Sequence, residues 1–146
     1  MRTSACRAGV HGAIGTIAGI VLSGPLAVAL VNTTHPQPPW GGPALFARSF
    51  HPIQVIPYPG GIFLVAGVVL LIASVRGLAQ PAQQILADVA LVFCAVFATL
   101  VFLNYIVQTT YVPVLARDYT EATGSILTLF SMSNPKSLAW ALEMWG

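Results

Sequence analysis

Charge is what this sequence has least of. Six basic and four acidic side chains serve 146 residues, 7% of the chain, where a soluble domain carries about 25%. A chain this poor in charge cannot cover itself with a water-facing surface, which excludes an ordinary soluble domain. The net charge of +2 is too small to build a phosphate-binding face, so nucleic acid is not an expected partner. Cysteine is also scarce. Cys6 and Cys94 are the only two; they stand at no zinc or redox spacing, and both are read as free thiols. Phosphate loops, HExxH, G-x-S-x-G and paired cysteine–histidine sites are absent. No catalytic residue, metal ligand or cofactor is therefore assigned.

Hydrocarbon takes the place of charge: 56% of residues are hydrophobic and the mean hydropathy is +0.80. Three apolar stretches, about residues 8–31, 57–75 and 85–110, contain one group certain to be charged at neutral pH, Asp88. About 20 apolar residues in a helix cross about 30 Å of hydrocarbon. The expected fold is therefore all-α, an integral membrane helical bundle with three transmembrane helices, in the cell membrane. The lipid bilayer is the first partner, and a second copy or another membrane subunit is a further one. The first stretch is read as a retained helix, with a cleaved signal peptide as the alternative because Ala27-Val28-Ala29 resembles a cleavage site. Pro25 should kink it.

Seven of the eleven prolines fall between residues 32 and 59, interleaved with Trp40, Phe46, Phe50 and Tyr58. That mixture reads as a loop lying on the bilayer, its aromatic rings at the boundary with water, and with one short turn at Leu45 to Phe50. Residues 111–133 read as a polar segment in which Arg117, Asp118 and Glu121 form a solvated cluster. Ser133-Asn134-Pro135 then looks like a helix start. Residues 134–146 are read as the truncated start of a fourth span or as an interfacial amphipathic helix. Arg2, Arg7 and Arg76 lie close to span ends, which favours a cytoplasmic N-terminus.

Few residues are candidates for chemistry. Asp88 marks an ion or proton path, or sits at headgroup level and favours the helix N-terminus. Asn104, Gln108 and Tyr111 stand at i, i+4 and i+7 on one helix face, where they join helices by hydrogen bonds or line a polar pocket. Asp88 precedes Asn104 by sixteen residues, nearly the opposite face of a helix, so one pocket should not hold both. Gly15, Gly19, Ser23 and Ala27 recur every fourth residue and form a helix-packing stripe. His11, one step earlier, is a boundary residue or else a proton carrier or haem ligand. His35-Pro36 and His51-Pro52 share the loop and could bind a metal, although no carboxylate or thiol lies between them.

Asn104-Tyr105-x-Val107-Gln108-x-Thr110, then Ser133-Asn134-Pro135 and Ala141-Leu142-Glu143-x-x-Gly146, resemble small bacterial integral membrane proteins with no assigned function. The resemblance covers the last 45 residues or so. It implies a bacterial inner membrane and a further transmembrane helix opening at Ser133–Gly146, and it carries over no activity. The expected function is a non-catalytic membrane protein acting through helix contacts in the bilayer. A transporter-like or small-solute-binding module using Asn104, Gln108 and Asp88 is the alternative, and a membrane enzyme or redox subunit the second.

Overall fold

Three helices are long and apolar enough to cross a membrane: Thr3–Thr34, Pro52–Leu78 and Pro81–Arg117. They belong to a computed structural model that describes residues 2–145, and no strand occurs among the described residues. Span one consists of α1 (Arg2–Val21), one widened turn (Leu22–Leu26) and α2 (Ala27–Thr34). The widened turn follows from Pro25, which has no N–H to offer the Val21 carbonyl and crowds it with its ring. Gly24 accordingly leaves helical geometry at φ −93°, ψ −106°, and this is the expected kink.

The proline-rich stretch is more ordered than an extended loop. It holds α3 (Pro43–Ser49) and a 3-10 turn, Pro52–Val55, that leads into α4 (Pro57–Leu78). His51 caps that turn reciprocally with Gln54. The Ile53 N–H donates to His51 Nδ1 at 3.3 Å, and the His51 N–H donates to Gln54 Oε1 at 3.2 Å. After a tight connection, span three comprises α5 (Gln84–Ile106), a second widened turn (Val107–Tyr111) and α6 (Val112–Arg117). The helix thus runs seven residues past the expected end near Thr110. It does so because the wide turn absorbs Pro113. The Thr109 and Thr110 hydroxyls donate back to the Tyr105 and Ile106 carbonyls at 2.8 and 2.6 Å.

The spans form a row with α4 in the middle, touching both α1 and α5. Glycine makes the α1–α4 seam close. A Cβ on Gly12 would lie 2.7 Å from the Leu71 backbone nitrogen, and one on Gly60 would lie 2.7 Å from that of Ser23. Cβ atoms on Gly19 and Gly67 would run into the Leu64 and Thr16 backbones. Read in order, Gly12 meets Leu71, Thr16 meets Gly67, Gly19 meets Leu64 and Ser23 meets Gly60, an antiparallel register. The partner of the small-residue stripe is therefore span two. Gly19 and Ser23 lie in the seam and Ala27 is buried, but Gly15 has room for a methyl, its nearest neighbour being the Gly67 Cα at 3.5 Å.

Beyond α4's N-terminal end the remaining elements gather into a cap. Helix α7 (Glu121–Phe130) packs with α3 and α6 around Phe46, Val112, Leu115, Ala116 and Leu127. Residues 111–133 are thus two helices with an apolar side. Thr120 opens α7, accepting the Thr123 N–H at 3.3 Å. Exposed Arg117 and Asp118 pair at 3.1 Å, and this hydrogen bond holds the Asp118 carboxyl below the usual carboxylate range. Helix α8 (Leu138–Trp145) starts later than Ser133-Asn134-Pro135 suggests. Asn134 instead ties the approach, donating to the Thr128 carbonyl at 2.8 Å and accepting the Lys136 N–H at 3.1 Å. Ser137 is the cap, accepting the Trp140 N–H at 2.9 Å. Gly146 lies outside the described residues.

Candidate functional site

Asn104 and Gln108 are each 2% exposed, and such amides must find partners inside the protein. They find them in the segment that leads into α8. Gln108 Nε2 donates to the Phe130 carbonyl at 2.7 Å and to Asn104 Oδ1 at 3.3 Å, while its Oε1 accepts the Met132 N–H at 3.2 Å. One helical turn away, Asn104 Nδ2 donates at 3.2 Å both to the Ala139 carbonyl and to Glu143 Oε2, with the Met132 sulfur at 3.4 Å. Tyr105 Oη donates to Glu143 Oε1 at 2.6 Å. As numbers fall along α5 they rise towards Glu143, so α8 runs back along span three, antiparallel to it.

The backbone partners fix the amide orientations. A carbonyl only accepts and an N–H only donates, so Phe130 and Met132 together decide which end of Gln108 is nitrogen. Each amide nitrogen and each amide oxygen then has a partner inside the protein. No buried side-chain nitrogen or oxygen among the described residues lacks a partner. Next to this network Gln54, Tyr58, Gln108 and Ser133 help to line a void of about 20 Å³, room for one water. Tyr58 stacks obliquely on Tyr105, with ring centres 5.7 Å apart. Chemically the arrangement is a clasp, which fastens α8 and the cap to span three.

Tyr111 is not part of it. The widened turn at Val107–Tyr111 holds more residues than an α-turn, so it rotates Tyr111 off the Asn104–Gln108 face. Tyr111 is 43% exposed and meets Phe130 edge to face at 6.0 Å. Asp88 lies far from the clasp, near the opposite end of α5, where Arg76 Nε reaches its Oδ1 at 2.6 Å. Both side chains are about half exposed, and exposed pairs contribute little. Asp88→Asn should therefore leave the melting temperature of the detergent-solubilised protein nearly unchanged, and a large drop would show that the pair matters more than its exposure implies.

The histidines are also accounted for. His11 Nδ1 is 2.7 Å from the Arg7 carbonyl one turn back. The His35 and His51 rings stack in parallel, 3.6 Å between centres and 5° between planes, so their nitrogens lie in separate planes and do not converge on one ion. No group of three or more His, Cys, Asp and Glu that could hold a metal occurs among the described residues. Cys6 and Cys94 are free thiols. Sequence reasoning found Asn104 and Gln108 but missed Tyr105 and Glu143, which lie 38 residues apart. Their one signal was membership of the motifs Asn104-Tyr105 and Ala141-Leu142-Glu143. No protein-family profile, curated protein or solved structure matches this chain, so what it does has to be read from its own residues.

Proposed function

We propose that the chain is a multi-pass membrane protein, resident in a cell membrane with its N-terminus cytoplasmic, that acts through helix contacts in the bilayer and carries out no catalysis. The observation that carries this reading is how the polar groups of span three are used. Asn104 and Gln108 spend every amide group on the protein itself, and the void beside them takes about one water (about 20 Å³). That arrangement favours helix-to-helix contact over a solute pocket. The outer faces remain apolar. Only 17%, 22% and 11% of the three span windows are buried inside the protein, which leaves Ile14, Ile17, Phe63, Val92 and Phe93 outside for lipid or a neighbouring helix. Helix α8 enters beside span three with Glu143 held by Asn104 and Tyr105, and this supports reading it as the first turns of a fourth span.

Two measurements test the reading. The chain should stay in the membrane pellet after an alkaline carbonate wash, and release into the supernatant would overturn membrane insertion. Extracted in mild detergent and run on native gels, it should migrate in a complex larger than its 15.4 kDa. Migration only as a monomer would remove the helix-contact role.

A further inference from the structure

The cap carries a second feature that the clasp does not use. Trp40, Thr128, Asn134, Pro135, Lys136 and Trp140 line most of an open groove of about 840 Å³. Its charge is one-sided. Lys136 is the only ionisable residue lining it, and the ion pairs among the described residues belong to Arg76 and Arg117. The indole N–H groups of Trp40 and Trp140 donate to no protein atom among the described residues. The groove therefore offers an ammonium beside two indole rings, while its Asn134 side chain is already committed to Thr128 and Lys136.

Its place in the fold narrows the occupant further. Tryptophans mark the membrane–water boundary, and two of them flank Lys136 where the cap meets the start of α8. From there α8 carries exposed Trp140 and Met144, four residues apart and so on one face, an apolar strip that starts at the groove. A ligand with an anionic head and a hydrocarbon tail matches both parts. We propose that this groove binds the headgroup phosphate of an anionic glycerophospholipid, with Lys136 holding the phosphate and the acyl chains lying along α8. This rests on the membrane reading above. A zwitterionic headgroup fits less well, because its ammonium meets no carboxylate among the lining residues.

The test uses the full chain purified in a neutral detergent, after the carbonate wash has shown it to be membrane-inserted; release in that wash would overturn the membrane reading and not the groove. Tryptophan fluorescence is followed while phosphatidylglycerol, phosphatidylcholine or inorganic phosphate is added. Phosphatidylglycerol should give a saturable change. Phosphatidylcholine should bind about fivefold more weakly, and Lys136→Gln should weaken phosphatidylglycerol by about the same factor, the share of one lysine at a membrane surface. Lys136→Arg should restore it. Equal binding of the two lipids with no effect of Lys136→Gln would overturn the proposal. So would saturation by inorganic phosphate alone, which would make the groove a site for the free anion. Lys136 is exposed, so the variants should fold; a Lys136→Gln protein with the parent melting temperature and unchanged lipid binding counts against the site.

Discussion

Gly19→Ala is expected to break the α1–α4 pair, whereas Gly15→Ala, four residues away on the same helix, is expected to do almost nothing. The difference lies in what a single methyl meets. At Gly19 it would run into the Leu64 backbone, which cannot step aside unless the whole helix moves; at Gly15 it finds the Gly67 Cα at an ordinary 3.5 Å. Forcing extra atoms into a closed seam costs about 1–3 kcal/mol, and more when backbone has to move. Gly19→Leu should exceed that range, lowering the melting temperature in detergent by about 10 °C or more. The mirror position makes a second check, because Gly67→Ala meets the Thr16 backbone from the other side. If Gly15→Ala and Gly19→Ala proved equally costly, the register of this seam would be wrong.

The other large effect belongs to the clasp. Gln108→Leu keeps the volume but removes three hydrogen bonds at once. The Met132 N–H loses its acceptor, and the Phe130 carbonyl and Asn104 Oδ1 lose their donor. A buried polar group left unpaired costs about 1–3 kcal/mol, so a total of about 3 kcal/mol or more is expected after partial relaxation. The loss should be local in character. Amide hydrogen exchange across residues 131–145 should quicken markedly, while the α1–α4 seam keeps its protection. Glu143→Gln is the milder probe, since one carboxyl oxygen becomes a donor and a single bond, from Asn104 or Tyr105, is lost. A Gln108→Leu protein with unchanged exchange in α8 would show that the clasp does not hold that helix.

The spans were legible in the sequence because hydrophobicity over 20 residues needs no tertiary information. Pro25 announced its kink for a similar reason, since a missing N–H acts on its own helix. The seam was only half legible. A four-residue stripe singled out Gly19 and Ser23, but which of the remaining glycines touch backbone depends on span two, where Gly60 and Gly67 stand seven apart. Tyr111 stands off the Asn104–Gln108 face for a definite cause: projecting i, i+4, i+7 assumes an unbroken α-helix, and the turn just before Pro113 is widened. Proline was legible as a breaker, not as the origin of a rotation. The cap was missed as a unit because its helices are short and their apolar faces matter only against one another. Beyond its short motif, Glu143 gave no sign of its role, because a lone carboxylate near other apolar residues says nothing of a tyrosine and an asparagine on another helix.

The two ends of the helix row are very unequal. At one end stand α3, α6, α7, the histidine stack and the groove beside Lys136. At the other, spans two and three are joined by a short turn with the Arg76–Asp88 pair beside it. The first turns of α1 stand at this second end too, with Ala5 beside Gly77. If the three helices cross a bilayer as proposed, an epitope inserted in the Arg76–Gln84 turn would read out the side opposite the cap without disturbing the cap.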